Sequence, residues 1–467
     1  MLRQGETICA LATSAGGAIA IVRISGPDSF PVIEKVFFPS DKSLVINKQP
    51  GNTVIHGEIR DEEVIIDEVL VTLFRKPRSY TGEDSVEISC HSSSYIRSRI
   101  LELLIRNGTR VAAPGEFTQR AFLNGKIDLS QAEAVADLVA SSSEASHRIA
   151  MNQMRGGFSA EISRLRSELL RLTSLIELEL DFGEEDVQFA DRNELLSIVN
   201  QVKDLAGKLA SSFRIGNVIK NGIPVAITGK PNSGKSTLLN ALLNEERAIV
   251  SEIPGTTRDT IEDTIFINGL EYRFIDTAGL RNTSDAVEAM GIRRTHEKIM
   301  QASVILLIGD ISDSPGAINK RANEIREKIK GLDKYIIILV NKIDLAADDS
   351  LPEFKKNIHL EQNESLLFIS AKEQKGLDEL RRSLSEIVEK ERFSSGDVII
   401  TNLRHYEALS KVSESLSRVE EGLMDSIPED LVAIDIRQAI HYLGEITGEI
   451  TTDEILGNIF KNFCIGK

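Results

Sequence analysis

The stretch GKPNSGKS, from Gly229 to Ser236, matches the phosphate-binding P-loop pattern G-x-x-x-x-G-K-S. The apolar run PVAIT precedes it and is suited to a buried strand, and STLLNALL, which starts at Ser236, is suited to a helix. A glycine-rich turn between a strand and a helix directs backbone N–H groups and the positive end of the helix dipole at a phosphate. The pattern therefore predicts a nucleotide site in which Lys235 reaches the β- and γ-phosphates and the Ser236 hydroxyl ligates Mg²⁺.

Further motifs follow the P-loop in the order typical of guanine-nucleotide-binding domains. Thr257 of PGTTRD is suited to closing over a γ-phosphate with Mg²⁺, and the D-x-x-G of DTAG would place Asp276 at Mg²⁺ and the Gly279 N–H at the γ-phosphate. In NKID, Asp344 can accept from the N1 and N2 hydrogens of guanine but would face a lone pair at adenine N1. The S-A-K sequence that begins at Ser370 supports the base. Ordered motifs at the ends of strands that alternate with helices predict a parallel doubly wound sheet that binds GTP.

Two positions indicate how GTP hydrolysis would be catalysed. Leu280 follows D-x-x-G, where switch GTPases of the Ras kind have the glutamine that orients the attacking water. Another group must therefore orient the water, and the polar candidates just downstream are Arg281, Asp285 and Glu288. The other position is Asn232 of the P-loop, whose side-chain oxygen could coordinate a monovalent cation in place of an arginine finger. The alternative is that Asn232 is a turn residue that stabilises the loop.

The composition limits the class of protein. The 467 residues are enough for about two to four domains, and their 41% hydrophobic content suits globular domains. The net charge of −16 disfavours non-specific nucleic-acid binding, so an RNA contact must use a local basic patch or a partner. No apolar run approaches the length of a membrane span and no signal sequence is visible, so we expect a cytoplasmic protein without membrane contact. The three cysteines and seven histidines are scattered, which predicts reduced thiols and no zinc site.

The segments around the GTP motifs predict further domains. Residues 1–123 alternate apolar strands with an amphipathic helix, as expected for a mixed α/β domain. Residues 124–215 and 387–467 carry helical patterns, one of which runs continuously over residues 129–154. The last segment is too short for a core of its own, so we expect it to pack on the earlier helices. The GTPase domain, residues 216–386, would then be inserted into one discontinuous helical domain.

Charged residues outside the GTP motifs leave alternatives open. Arg23 and Glu87 lie in or beside apolar strands, which is unusual unless they form a structural salt bridge or bind a ligand. Two groups of arginines are candidates either for RNA contact or for solvated helix faces. They are Arg97, Arg99, Arg106, Arg110 and Arg120, and Arg155, Arg164, Arg166 and Arg171.

The whole chain resembles the MnmE (TrmE) family of bacterial and organellar tRNA-modification GTPases. The resemblance covers all 467 residues and rests on GKPNSGKS, IPGTTRD, DTAGLR, the stretch GEFTQRAFLNGKIDLSQAEAVADL that begins at Gly115, and the terminal FCIGK. The last two distinguish this family from other GTPases with a P-loop asparagine, such as the ribosome-assembly proteins Era and Der. A ribosome-assembly GTPase of that type is the alternative interpretation.

The resemblance implies a function and partners. In this family a homodimer formed through the N-terminal α/β domain acts with MnmG, an enzyme that uses FAD and NADH, in a heterotetramer. Together they add an aminomethyl or carboxymethylaminomethyl group to carbon 5 of the wobble uridine of tRNA. The carbon comes from a folate, 5-formyl- or methylene-tetrahydrofolate, bound by the N-terminal domain. A K⁺-dependent contact between two GTPase domains activates hydrolysis.

The resemblance also implies roles for individual residues. The catalytic residues would be Lys235 and Glu288, the latter orienting water through a second water. The ligands would be Arg23, Glu87, Lys126 and Lys467 for folate, Asn232, Ser251, Ile253 and Thr256 for K⁺, and Ser236 and Thr257 for Mg²⁺. The residues expected at GTP are Asn232, Ser233, Gly234, Lys235, Ser236, Thr237, Ser251, Glu252, Ile253, Pro254, Gly255, Thr256, Thr257, Asp276, Thr277, Ala278, Gly279, Asn341, Lys342, Asp344, Ser370, Ala371 and Lys372.

Overall fold

The computed structural model describes residues 5–14, 16–182, 192–246, 263–275, 299–346, 351–389, 398–425, 427–461 and 463–466. Contacts between residues divide the chain into two units. Unit 1 combines Met1–Val139, Ala150–Ala210 and Leu403–Lys467, and unit 2 combines Ala140–Ile149 and Ser211–Asn402. Unit 2 is therefore inserted into unit 1, and a short segment near residue 145 joins it from a separate part of the chain.

Unit 1 begins with a seven-stranded sheet covered by helices on one face. Its elements are β1 (Ile8–Leu11), β2 (Ile19–Ser25), α1 (Ser29–Val36), β3 (Phe37–Pro39), β4 (Thr53–Asp61), β5 (Val64–Phe74), β6 (Ser85–His91), α2 (Ser94–Arg106), β7 (Arg110–Val111) and α3 (Glu116–Leu123). The strand order is β3-β4-β5-β6-β2-β1-β7, antiparallel except where β7 pairs with β1. Alternate residues of β5 (Val69, Val71 and Leu73) are buried in one core with residues of α1 and α2, which leaves the opposite face open.

Four helices follow the sheet, and one sequence prediction about them is wrong. They are α4 (Leu129–Ala140), α5 (Glu144–Met154), α6 (Gly157–Phe182) and α7 (Arg192–Asn221). The continuous helix predicted over residues 129–154 breaks between α4 and α5. The Ser143 Oγ accepts from the Ser146 N–H at 3.2 Å, and the Ser146 Oγ accepts from the Ser143 N–H at 3.1 Å. Clustered serines offer the backbone these local hydrogen bonds, which compete with the helix and favour a new helix start.

Unit 2 contains a six-stranded sheet. Its elements are β8 (Ile223–Gly229), α8 (Lys235–Glu246), β9 (Asp263–Ile267), β10 (Leu270–Phe274), β11 (Val304–Asp310), α9 (Pro315–Ile329), β12 (Tyr335–Asn341), α10 (Leu351–Lys356), β13 (Glu364–Phe368) and α11 (Leu377–Glu389). The order is β13-β12-β11-β8-β10-β9, parallel except for the edge strand β9. Residues of β11 alternate between two apolar clusters, with Leu306 in one and Ile305 in the other, so both faces are covered. The chain order of the strands reverses at β8, where doubly wound sheets bind ligands.

The chain returns to unit 1 with three helices. They are α12 (Leu403–Met424), α13 (Glu429–Thr447) and α14 (Asp453–Phe460). Helix α13 packs against both α12 and α6. Thr452 is the N-cap of α14, and its hydroxyl accepts from the Ile455 N–H at 3.3 Å. Within the described ranges, no helix combines the length and the apolar character needed to cross a bilayer. The predicted fold class is confirmed: an N-terminal α/β part, a discontinuous helical part and an inserted P-loop sheet.

Candidate functional site

The P-loop joins the end of β8 to the start of α8, as its sequence predicts. Gly234 has a φ of 98°, and a Cβ at this position would collide with the Asn341 side-chain amide, so only glycine fits. The Ser233 hydroxyl is buried and has no hydrogen-bond partner among the described residues. A tight loop that ends at a helix N-terminus and holds an unsatisfied buried hydroxyl suits a bound phosphate.

Lys235, the first residue of α8, lies over this loop. Its Nζ donates to the carbonyl oxygens of Gly229 at 3.0 Å and Lys230 at 2.6 Å. Burial lowers the pKa of Lys235 from its ordinary value. An ammonium group has three donors, so the two carbonyls orient it and leave a donor for a phosphate.

The NKID motif at the end of β12 connects the loops of the site. Asn341 donates from Nδ2 to the Ser233 carbonyl at 2.9 Å and accepts from the Ala371 N–H at 3.0 Å. The Ser370 hydroxyl donates to Asp344 Oδ1 at 2.6 Å, and this hydrogen bond lowers the pKa of the Asp344 carboxyl. The P-loop, NKID and S-A-K sequences therefore meet at one edge of the sheet, with Asp344 held as an ionised acceptor.

Two aspartates at the end of β11 and in the loop after it each pair with a lysine at the nucleotide site, and no sequence motif pointed to them. Asp313 accepts from Lys230 Nζ at 2.8 Å and from Arg321 at 2.5 Å, and Asp310 pairs with Lys342 Nζ at 2.6 Å. Burial raises the pKa of Asp313, but the hydrogen bonds from Lys230 and Arg321 outweigh it and lower the pKa to about 2. The sequence DISD, which starts at the last residue of the buried strand β11, was the signal that could have found these two aspartates.

Most of the remaining predicted ligands of GTP and the cations lie outside the described residues. These are Ser251, Glu252, Ile253, Pro254, Gly255, Thr256, Thr257, Asp276, Thr277, Ala278, Gly279 and Glu288. Ser236 and Thr237 are described in the first turn of α8, and Lys372 is the last residue of the S-A-K sequence that supports the base. Asn232 is exposed with a φ of 62°, a left-handed conformation that asparagine tolerates. This conformation fits a turn residue and leaves the side chain accessible to a cation.

The predicted folate residues in the sheet of unit 1 lie on neighbouring strands. Arg23 of β2 stands opposite Glu87 of β6, and Nε of Arg23 donates to Oε1 of Glu87 at 2.9 Å. The salt bridge considered from the sequence is therefore present. The guanidinium group lies 5.4 Å from the ring centre of Tyr80 and 5.6 Å from that of Phe117, and it donates to the Gly466 carbonyl at 3.4 Å. The C-terminal tail thus reaches a charged pair flanked by two aromatic rings.

Lys126 lies between α3 and α4, beside the loop that carries Tyr80. Its Nζ donates to the Pro77 carbonyl at 3.0 Å. Burial raises the pKa of the Tyr80 hydroxyl, which is hydrogen-bonded to the Thr118 hydroxyl at 2.8 Å. Lys126 and Arg23 therefore contact the same loop, one through Pro77 and the other through Tyr80. Lys467, the last predicted folate residue, is outside the described residues.

Both arginine groups considered for RNA contact are largely ion-paired. The pairs are Arg99 and Arg106 with Asp61, Arg110 and Arg120 with Glu116, Arg164 with Glu161, Arg166 with Glu449, and Arg171 with Glu194, at N–O distances from 2.5 to 3.5 Å. An RNA phosphate would have to displace a carboxylate at each of them. For the exposed arginines of the two groups, the solvated-face interpretation fits better than RNA contact. Arg120 is buried and therefore fits neither interpretation.

Comparisons with protein-family models identify the chain. The model described as the MnmE helical domain matches residues 129–464, and the model described as the N-terminus of the GTP-binding protein TrmE matches residues 7–126. The chain belongs to the MnmE family. Membership in the MnmE family confirms the predicted family and its enzyme class, a GTP hydrolase.

Curated members of the MnmE family match along the whole chain. The protein named tRNA modification GTPase MnmE from Bacteroides thetaiotaomicron is 52% identical over 465 residues, 99% of each chain. The protein of the same name from Christiangramia forsetii is 54% identical over 478 residues, 100% of each chain. A crystal structure of the G domain of the T. maritima FeoB iron transporter is 26% identical, covers 35% of this chain and 97% of that chain, and has a TM-score of 0.25.

Proposed function

We propose that this protein hydrolyses GTP as part of tRNA modification and acts with MnmG, an FAD- and NADH-using enzyme, in a heterotetramer. The product is an aminomethyl or carboxymethylaminomethyl group on carbon 5 of the wobble uridine, with the one-carbon unit drawn from 5-formyl- or methylene-tetrahydrofolate. The observation that carries this proposal is the full-length similarity, 52% and 54% identity, to two proteins named tRNA modification GTPase MnmE.

The described loops support the GTPase half of the proposal. Lys235 is oriented by two backbone carbonyls, so its ammonium group stabilises negative charge that develops on the phosphates without first reorganising. Asp344 is kept ionised by Ser370 and selects guanine through two accepted hydrogen bonds. Asn341 fixes the distance between the phosphate and base loops.

The proposal assigns two cations to this site. Ser236 and Thr257 would hold Mg²⁺, and Asn232, Ser251, Ile253 and Thr256 would hold K⁺, so that both supply positive charge beside the phosphates. The hydroxyl and amide oxygens of Ser236 and Asn232 suit these hard cations. Glu288 would orient the attacking water through a second water.

GTP hydrolysis is expected to be at least about tenfold faster in KCl than in NaCl at equal ionic strength, because the cation replaces the charge of an arginine finger. The variant Asn232→Gly should lose this stimulation while it keeps nucleotide binding. Glycine accepts the φ of 62° without strain, so the change removes the side chain with its amide oxygen and keeps the backbone conformation accessible. Phosphate release in the two salts and binding of a fluorescent GDP provide the measurements. Equal rates of the wild-type protein in the two salts would reject the K⁺ site.

The open face of the seven-stranded sheet supports homodimerisation through the N-terminal domain. Ile19, Val54 and Leu70 on this face are 66%, 58% and 46% exposed. Apolar side chains gathered on an open sheet face mark a protein–protein interface. Strand register places Arg23 and Glu87 on the same face. We therefore propose that the dimer interface adjoins the folate site.

The surroundings of Arg23 suit a folate derivative. The pair of Arg23 and Glu87 offers donors and acceptors to a pterin ring, and the Tyr80 and Phe117 rings offer aromatic surface. Lys126 and Lys467 would add positive charge for the glutamate tail of the folate. The proposed site thus combines Arg23 and Glu87 on two strands with Tyr80 in the loop after β5 and Phe117 in α3.

The proposal assigns a separate role to each predicted domain. It also assigns the protein to the cytoplasm. Residues 1–123 dimerise and bind folate, and residues 216–386 hydrolyse GTP. Residues 124–215 and 387–467 form the helical domain that carries both.

Deletion of the gene in its own host is expected to abolish the carbon-5 modification of wobble uridines, which mass spectrometry of digested tRNA measures directly. Expression of the wild-type chain in the deletion strain should restore it. Unchanged modification in the deletion strain would exclude the main proposal. It would favour the Era/Der type of ribosome-assembly GTPase, although the net charge of −16 and the paired arginines do not suit an rRNA-binding protein.

A further inference from the structure

We propose that Asp313 is a positioning residue for GTP hydrolysis: its ion pair with Lys230 fixes the P-loop carbonyl that holds the ammonium group of Lys235. The proposal rests on the GTPase activity proposed above. No sequence motif of the nucleotide site includes Asp313, and Lys230 occupies a position that the P-loop pattern leaves variable.

The first step is the ion pair itself. The Asp313 side chain is 12% exposed, and its two oxygens have separate partners: Oδ2 accepts from Arg321 at 2.5 Å and Oδ1 from Lys230 Nζ at 2.8 Å. A carboxylate with so little exposure is costly without partners. Arg321 compensates its charge from within the neighbouring helix, α9, and leaves one oxygen directed at the P-loop.

The second step is the rigidity of the loop that presents Asp313. The Asp313 N–H donates to the Asp310 carbonyl at 2.9 Å, and the Ser312 N–H and hydroxyl donate to Asp310 Oδ1 at 2.9 and 2.8 Å. The Ser314 hydroxyl then caps α9 by accepting from the Ala317 N–H at 3.3 Å. These bonds fix the backbone on both sides of Asp313, so its carboxylate is a fixed anchor.

The third step leads from Lys230 to Lys235. The Lys230 carbonyl accepts from Lys235 Nζ at 2.6 Å, a shorter bond than the 3.0 Å one from the same Nζ to Gly229. The same carbonyl also accepts from the Ser233 N–H at 3.3 Å. Lys230 is thus held from outside by Asp313 through its side chain, and it holds Lys235 through its backbone. Displacement of a reacting group by about 1 Å can lower a rate by roughly a hundredfold.

A purely structural ion pair is the alternative, and the same sheet offers a matched control. Glu364 at the start of β13 is nearly buried and pairs with Arg326 at 2.5 Å. It lies at the opposite end of the parallel strands from the P-loop. The variant Glu364→Gln therefore removes a comparable buried carboxylate charge far from the nucleotide.

The test compares kcat at saturating GTP in a set of variants, below their unfolding temperatures. Asp313→Asn and Lys230→Met should each lower kcat by about threefold to tenfold, as expected for one partly exposed charge pair acting on a catalytic group. Lys230→Arg, which can still reach Asp313, should keep kcat within about twofold of the wild-type value. The double variant should be no slower than the slower single variant, because both changes break one connection. Glu364→Gln should lower the unfolding temperature and leave kcat unchanged.

Wild-type rates in Asp313→Asn and Lys230→Met, additive losses in the double variant, or an equal loss in Glu364→Gln would overturn the proposal. Lys230 is half exposed, so Lys230→Met decides the question even if Asp313→Asn fails to fold. A wild-type chain that hydrolyses no GTP would reject the proposed function itself. An active wild-type chain with unaffected variants would reject only the role of Asp313.

Discussion

Replacement of Asp344 by asparagine is expected to reverse the base preference of the site, so that the variant binds XTP more tightly than GTP. The Asp344 carboxylate accepts from Ser370 at 2.6 Å, which orients it and lowers its pKa, so it meets the two donors of guanine as an anion. An asparagine amide presents one acceptor and one donor, and the donor faces the guanine amino group. Xanthine carries a carbonyl in place of that amino group and accepts the new donor.

The loss for GTP should be about a hundredfold to a thousandfold, since two hydrogen bonds to a charged group are affected at roughly 1.5 kcal/mol or more each. Competition of GTP and XTP with a fluorescent GDP measures the two affinities in one experiment. The gain for XTP is an internal control, because a damaged site would bind neither nucleotide. A variant that still prefers GTP would show that another group reads the base.

Replacement of Glu133 by glutamine is expected to destabilise the helical part of unit 1 by about 3 kcal/mol. The side chain is 7% exposed and accepts from Arg404 Nε at 3.0 Å, and His405 Nε2 lies 2.7 Å from it. These contacts tie α4 to α12. The variant leaves the Arg404 guanidinium opposite a neutral amide. Because Arg404 still donates to the carbonyls of Glu445 and Ile446, the expected loss of stability lies at the low end of the range for a broken buried ion pair.

Hydrogen exchange of peptides from α4 and α12 is the suitable measurement, because a chain with two units does not unfold in one step. The matched control is Glu161→Gln, whose partner Arg164 is mostly exposed, so its loss should stay below about 1 kcal/mol. GTP binding should persist in both variants, because both residues belong to unit 1. Unchanged hydrogen-exchange protection of α4 and α12 in Glu133→Gln would show that the contacts of Glu133 with Arg404 and His405 do not stabilise these helices.

The lowered pKa of Glu133 predicts that the stabilisation by its ion pair depends on pH. Burial raises the pKa of Glu133, but His405 and Arg404 outweigh burial and lower the pKa to about 2. A lowered pKa means that the stabilisation is complete above the unfolded value of about 4.3 and is lost as the pH falls from there toward 2. The difference in protection between wild type and Glu133→Gln should therefore be large at pH 6 and shrink through this window.

The phosphate and base loops could be predicted from the sequence because their chemistry constrains neighbouring residues. Gly234 is required by a positive φ and a close approach, and Lys235 must begin the helix that follows. An apolar run predicts the strand before the loop, and helical periodicity predicts the helix after it. The structure has β8 and α8 at these positions. Family resemblance predicted what local chemistry does not contain. The role in tRNA modification is supported by the named relatives, and the folate stays a prediction.

The ion pairs that connect distant segments could not be predicted. Lys230 and Asp313 are 83 residues apart, and Arg404 and Glu133 are 271 apart. Periodicity shows which face of an element is buried, but not which distant carboxylate meets which cation. The break between α4 and α5 was missed for a related reason, since helix propensity summed over residues 129–154 outweighed the local signal of the serines.

The discontinuity of unit 1 has a consequence for synthesis on the ribosome. Leu129 and Ala132 of α4 bury their side chains against Leu456 and Phe460 of α14, which is made only after the whole of unit 2 has emerged. At about 5 to 20 residues per second, the time between synthesis of α4 and synthesis of α14 is on the order of half a minute. During that time α4 lacks its native cover and unit 2 can already fold. The nascent chain can therefore complete the folding of unit 2 before that of unit 1. We expect a chaperone to bind the exposed apolar side chains of α4 during this time.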